Sequence, residues 1–355
     1  MSKMSFAVGM YRPPSEGGSA SLLLRITENC PWNKCTFCEM YKGQPFVYRS
    51  VEDIKADIDQ VQAIADAITT VSENAGQGGR INREVLRALF SVDPYLNTNQ
   101  CFVTVFNWLY SGGRTAFLQD ADSMIMRPAE FVEVLKYLRK TFITLTRVTS
   151  YTRSKTLAQR KLEDLKAIRE AGLDRIHVGL ETGDDELLKI VRKGVTSAEQ
   201  IEGGKKAMVA GFQLSEYWMP DLGGRERWQQ HAENTARVLN EINPHYIRSR
   251  PFVPRCGTPI FDDYEQGQLH ISSPLERLEE LRVMIEGLNV TSRVCFDHNM
   301  NSWTNKHGGL LFHQDYEGYK FPEEKPVVLE LICEGLKVDE SRHINIEELI
   351  AMGSL

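Results

Sequence analysis

The chain has 355 residues, 42% hydrophobic and 25% charged, with a formal net charge of −6. That balance suits one large α/β domain with an appendage, or two modest domains, and it lacks the basic stripe of a nucleic-acid binder, which argues against a nucleic-acid partner. No apolar run approaches the roughly 20 residues that cross a bilayer, and the apolar core of the first residues is too short for a signal peptide, so the expected setting is the cytoplasm, with no membrane partner.

Residues 1–20, with Pro13, Pro14, Gly17 and Gly18, read as an extended arm. Residues 21–27 form the first strand, apolar enough at 22–24 for burial on both faces. Its end delivers Cys30, Cys35 and Cys38. A helix starts after Ser50, a plausible N-cap, with Asp53 in its first turn and Ile54, Ile58, Val61, Ile64 and Ile68 at helical spacing. Between 72 and 113 a short helical pattern surrounds Val85 and Leu89. The apolar run from Cys101 to Tyr110 suits helix and strand equally.

From Thr115 the pattern becomes consecutive βα units. Strands are expected at Thr115–Leu118, Arg147–Tyr151, Arg175–Leu180, Phe212–Met219 and Tyr246–Val253. One helix is expected after Pro128, and one from Ser154 through Ile168 to Gly172. A short helix should cover 185–192, followed by a second opened by the capping box of Thr196 and Glu199. Gly203 and Gly204 inside that second helix each cost about 1 kcal/mol against Ala, so close packing is expected there. Helices should also cover 229–242 and 274–288, with a chain break at Pro254, Gly257 and Pro259 between them. Residues 291–303 suit a strand and turn, and 325–337 a mixed element. The expected fold is a partial barrel of about six parallel strands with helices outside, and such folds bind ligands beyond the C-terminal strand ends.

Three thiolates on one loop are a metal site lacking a ligand. Soft thiolates select zinc, copper(I) or iron–sulfur clusters. A structural zinc takes a fourth ligand and closes, whereas a cubane on three cysteines leaves one iron open. Seven cysteines, an odd number in a large non-secreted chain, favour thiols and metal ligands over a disulfide framework. The strand ends after the loop carry Asp120 and Asp122, Tyr151 and Arg153, Glu181 and Thr182, Glu216, Asp221, Gly223 and Gly224, then Arg248 and Arg250. That run of polar groups at successive strand ends favours the open cluster.

This stretch resembles the radical S-adenosylmethionine superfamily over roughly residues 20–260. The resemblance rests on the strand feeding three cysteines, on Phe37 just before the last of them, and on the βα units that follow. His177–Gly183 and Leu188–Val195 resemble the fourth-strand region of the coproporphyrinogen-dehydrogenase-like and methylthiotransferase-like branches, and Pro254–Pro259 resembles the segment after their sixth strand. The loop departs in one respect, with four residues between its first two cysteines where the family usually has three.

The resemblance implies a partial (β/α)6 barrel over 21–260 with a helical insertion at 50–113, preceded by the arm of 1–20. A C-terminal extension over 261–355 would cover the barrel mouth. It implies that Cys30, Cys35 and Cys38 ligate a 4Fe–4S cluster and that S-adenosylmethionine binds the open iron. Reductive cleavage would give a 5′-deoxyadenosyl radical that abstracts hydrogen from a small-molecule substrate, with a flavodoxin- or ferredoxin-type electron donor and sensitivity to oxygen. Asp120 or Asp122 would receive the cofactor's amino group, Glu181 and Thr182 the ribose, Arg153 or Arg192 the carboxylate, and Glu216 the cofactor or substrate. Cys256, Cys295 and Cys333 are candidates for substrate contact or buried inert thiols. Two other functions fit the residues: transfer of an aminocarboxypropyl group from the same cofactor, and a non-catalytic zinc or iron–sulfur module using Cys101 or a histidine as fourth ligand.

Overall fold

The computed structural model describes residues 4–9 and 20–352, so most of the N-terminal arm lies outside the described residues. In chain order the elements begin with β1 (Leu22–Arg25), β2 (Thr27–Glu28), β3 (Val47–Tyr48), α1 (Val51–Asn74), α2 (Arg83–Val92), α3 (Gln100–Tyr110), β4 (Thr115–Gln119), α4 (Pro128–Thr141) and β5 (Arg147–Thr152). Next come α5 (Ser154–Gln159), α6 (Leu162–Glu170), β6 (Arg175–Glu181), α7 (Asp185–Ile190), α8 (Ser197–Val209), β7 (Gln213–Trp218), α9 (Gly224–Ile242) and β8 (Tyr246–Ser249). The chain ends with α10 (Pro259–Glu265), α11 (Pro274–Gly287), β9 (Arg293–Cys295), β10 (Tyr319–Lys320), α12 (Lys325–Gly335) and α13 (Ile346–Ala351). Among the described residues no helix is long and apolar enough to cross a membrane.

The local signals act as the sequence suggests. Ser50 caps α1 through the Asp53 amide, and Asp53 returns a carboxylate to the Ser50 hydroxyl at 2.7 Å. The ambiguous run at 101–110 is helix α3, capped by Asn99 on the Phe102 amide and stopped by Gly112 and Gly113 at positive φ. Its apolar residues bury Phe102, Val105 and Trp108. Thr196 with Glu199 and Ser273 with Glu276 form reciprocal capping boxes at α8 and α11. Gly203 and Gly204 sit at close crossings: a Cβ would stand 2.7 Å from the Ser154 carbonyl at the first and 2.7 Å from the Ile242 side chain at the second.

Four expectations are corrected. The helix expected over 154–168 is two, because the chain turns extended at Arg160 and Lys161. Lys206 reaches the Ala158 carbonyl at 2.6 Å and ends α5 there. Helix α9 starts at Gly224, five residues before 229, because its polar first turn hides the period while the Arg225 amide is held by the His270 carbonyl at 2.8 Å. Strand β8 ends at Ser249 and does not reach Val253. The break at Pro259 is itself the start of a helix, with Pro259 in the first turn of α10.

The chain forms two compact units. The first comprises the described part of Met1–Pro31 with Pro45–Thr152 and Lys161–Ile176. In it β1, β4 and β5 are parallel, Leu24 opposite Leu118 and Leu118 opposite Ser150, so their C-terminal ends lie at one edge. The second comprises Trp32–Gln44, Arg153–Arg160 and His177–Leu355. There β7, β8 and β9 are parallel, Tyr217 opposite Arg248 and Arg248 opposite Cys295, and β10 closes antiparallel on β9. The parallel strands with helical crossovers make this an α/β fold.

Candidate cofactor and substrate site

In the first unit the chemistry gathers at the ends of β1, β2 and β4. Asp120, just past β4, is buried at a φ of 72°. Its Oδ2 takes Arg25 Nε at 2.7 Å and the Asn29 amide at 2.9 Å. Asn29 itself has a φ of 67° and donates to the Pro45 carbonyl, so the strand end leading into Cys30 is tied to Asp120 on one side and to the far end of the loop on the other. Asp122 is fully buried and accepts the Thr152 hydroxyl at 2.8 Å. Gln119 clasps Gly9 in both directions, accepting from its amide at 2.8 Å and donating to its carbonyl at 2.9 Å. A Cβ on Gly9 would stand 2.9 Å from Asp120 Oδ1.

In the second unit the cysteine loop from Trp32 to Gln44 is fastened at three points. The Thr36 amide donates to the Val191 carbonyl at 3.0 Å. Phe37 seats against the apolar cluster of Leu187, Val191, Leu222 and Phe252, which explains an aromatic residue before the last cysteine. Trp32 donates Nε1 to the Arg192 carbonyl at 2.7 Å and lies against Gly194, whose φ of 73° and missing side chain make the room. The guanidinium of Arg153 stands 5.2 Å from the Trp32 ring centroid and Lys34 Nζ 4.9 Å from it. Lys42 stiffens the loop from within, donating to the Asn33 and Cys35 carbonyls at 3.2 and 2.8 Å. The lengthened gap between Cys30 and Cys35 thus holds an anchor, Trp32, and a turn residue, Asn33, at a φ of 47°.

Glu181, the last residue of β6, is held at a φ of 64°, unusual for so long a side chain. It pairs with Lys193 at 2.7 Å, both side chains nearly buried. Burial pulls the Lys193 ammonium down, but Glu181 and Cys35 outweigh that and leave it above its ordinary value. Glu216 is buried, and its Oε2 has no hydrogen-bond partner among the described residues. Burial, then the Glu181 charge, pushes its carboxyl well above the usual carboxylate range. Arg153 donates to the Lys193 carbonyl at 2.8 Å, whereas the Arg192 side chain is exposed. Thr182 is fully buried, bonded to His231 Nδ1 at 2.7 Å and to the Asp184 amide at 3.0 Å.

Behind Thr182 lies a polar cluster of which the sequence marks only Asp221. His231 Nε2 meets the Met219 carbonyl at 2.9 Å and Glu280 at 3.4 Å. Glu280 accepts the Asp221 amide at 2.8 Å, and Arg277 lies 3.7 Å from Asp221. Burial lowers His231 to about 4 and raises Asp221 to about 6. A lone histidine in a helix carries no sequence signal for this. Lys193 was equally unmarked beside Arg192.

The cysteines divide by environment. Cys30, Cys35 and Cys38 are half-buried and outside any disulfide. Cys101 is buried against the backbone of Phe6. Cys295 is sealed, and burial pushes its thiol up to about 12. Cys256 and Cys333 are exposed. Among the described residues no three His, Cys, Asp or Glu side chains already enclose a metal-sized point. The donor set of three accessible, soft thiols on one loop fits an iron–sulfur cluster.

Residues 24–221, more than half the chain and spanning the whole cysteine loop, match the radical SAM superfamily. The chain belongs to that superfamily, whose enzymes use a 4Fe–4S cluster and S-adenosylmethionine. Among solved structures it is similar to methylornithine synthase, at 14% identity and a TM-score of 0.43 over 76% of this chain and 65% of that one. It is also similar to coproporphyrinogen III oxidase from Escherichia coli, at 14% identity and 0.45 over 75% and 52%. A radical S-adenosylmethionine methyltransferase from Kitasatospora setae matches at 14% identity and 0.44 over 68% and 39%. The chain therefore spans less than two thirds of the length of each.

Proposed function

We propose that this chain binds a 4Fe–4S cluster through Cys30, Cys35 and Cys38 and cleaves S-adenosylmethionine reductively to abstract hydrogen from a small-molecule substrate. The observation that carries this reading is the superfamily match, which runs from the end of β1 through all three cysteines to the polar ends of the later strands. Held by Cys30, Cys35 and Cys38, the cluster would supply one-electron reduction, and S-adenosylmethionine would supply the hydrogen-abstracting chemistry.

The chain's own residues bind and orient. Asp120, already bonded to Arg25 and the Asn29 amide, offers carboxylate oxygen to an ammonium at the root of the cysteine loop, with Asp122 as the deeper alternative. Glu181, paired with Lys193, accepts from ribose hydroxyls. Arg153, braced under Trp32, or the exposed Arg192, meets a carboxylate. Thr182 acts from behind: its hydroxyl is engaged by His231 and steadies the strand end that presents Glu181. Glu216, buried with Oε2 unpartnered among the described residues, faces the cofactor or substrate. Residues 261–355 form a C-terminal extension, and the electron donor is of flavodoxin or ferredoxin type. The reading places an oxygen-sensitive enzyme in the cytoplasm.

Anaerobic reconstitution followed by iron and sulfide counting tests the cluster. Wild-type protein should hold about four irons per chain. Cys30→Ala, Cys35→Ala and Cys38→Ala should lose them, while Cys295→Ala should retain them. A full count in the Cys35 variant, or a colourless zinc protein, contradicts the reading.

A further inference from the structure

The polar stretch Asp297–Trp303 finds its partner at the end of β8. Arg248 and Arg250 are two residues apart on an extended segment, so they leave the same face of the sheet. The Arg250 amide still bonds the Trp218 carbonyl at 2.9 Å, which continues the ladder past Ser249. Both guanidiniums converge on one buried carboxylate, Asp297. Arg248 Nη1 lies 3.0 Å from Oδ2, and Arg250 meets the two oxygens through Nη1 and Nη2 at 3.2 Å each. Arg248 also donates to Ser215 and to the Tyr316 carbonyl and is fully buried. The Arg250 guanidinium lies 4.6 Å from the Tyr217 ring centroid, which fixes its plane.

Among the described residues, charge does not balance there. Two guanidiniums share one carboxylate. Arg255 adds a third cation toward the same loop, opposed by Glu39. His298 does not offset them, because burial and then Arg250 hold it neutral, near 4. Cys295 stays a thiol, and Glu317 is drawn to Arg293 and Tyr246. A surplus buried cation is costly unless an anion meets it. The open valence is on Arg250. Asp297 occupies its end-on fork, and Nη1 also serves the Ser249 carbonyl. On the side-on fork, Nε and the second hydrogen of Nη2 have no partner among the described residues, and 16% of the side chain is exposed.

We propose that the side-on fork of Arg250, with Arg248 behind it, seats a carboxylate or phosphate group of the substrate, so that the enzyme acts on a small organic acid or phosphate ester. The planar fork matches two oxygens of either group. The anion seat stands on this geometry alone; only the word substrate rests on the function proposed above.

The test uses full-length protein with acetate and inorganic phosphate as probes. In wild type, either anion should protect Arg250 from phenylglyoxal, read by peptide mass spectrometry. By calorimetry, Arg250→Gln should weaken the protecting anion about tenfold or more, as expected for loss of a charged bidentate contact. Arg250→Lys should fall between, and Arg293→Gln should bind as wild type does. The tighter anion assigns carboxylate or phosphate. Unprotected Arg250 at saturating anion, or equal affinity in wild type and Arg250→Gln, overturns the proposal. Cofactor cleavage by wild type is measured separately: its failure alongside Arg250 protection removes the proposed function and leaves the anion seat standing.

Discussion

Replacing Gly194 with Ala perturbs the cysteine loop at one defined point. Gly194 has a φ of 73°, which costs an L-residue about 1–2 kcal/mol. The new Cβ would also overlap the Trp32 ring, standing 2.5 Å from Cε2. Forcing a close contact apart costs about 1–3 kcal/mol, and losing the Trp32–Arg192 hydrogen bond adds about 0.5–1.5 kcal/mol. The total is about 2.5–6.5 kcal/mol. Gly43 supplies the control: its φ is also 73°, but among the described residues nothing lies within 4 Å of a Cβ there. Gly43→Ala should therefore lose only the backbone share, about 1–2 kcal/mol. Urea unfolding of both variants measures the losses, and iron content after reconstitution shows whether the loop still holds its shape. Equal losses in the two variants would refute the role given to Trp32 in fastening the loop.

Glu216→Gln should be more stable than wild type at pH 7.5 and nearly equal to it at pH 4. The folded carboxyl titrates above its unfolded value, so the folded state holds the extra proton, and wild-type stability falls as pH rises from about 4.3 through the folded value; urea midpoints across that range check the sign. Thr182→Val removes two buried hydrogen bonds, to His231 and the Asp184 amide, and should cost about 1–3 kcal/mol by the same assay. Lys193→Met leaves Glu181 without its partner in a nearly buried site and should cost about 3–5 kcal/mol. Lys193→Met should also weaken cofactor affinity in equilibrium dialysis.

The βα course of the chain is legible because apolar strands, capping boxes and terminal glycines are short-range signals. Ser50, Thr196 and Ser273 cap the helices they precede. Failures occur where a tertiary contact decides. Lys206 ends α5 from another helix, and the His270 carbonyl starts α9 early. At the site, the cysteine spacing is visible, but the function of its extra length is not. Trp32 reads as loop filler until Gly194, some 160 residues on, is seen to receive it. Arg192 and Lys193 look alike in sequence. Positive φ at Arg192 and Gly194 turns the first outward and leaves the second facing Glu181, and no periodicity encodes that choice. Asp297 gains meaning only from two arginines nearly fifty residues earlier.

The most direct test of the central claim is the adenosine product of an anaerobic incubation of reconstituted protein with S-adenosylmethionine and dithionite. The account predicts 5′-deoxyadenosine. Methylthioadenosine in its place would indicate aminocarboxypropyl transfer, and an intact cofactor after full cluster loading would indicate a non-catalytic iron–sulfur module; either result contradicts it.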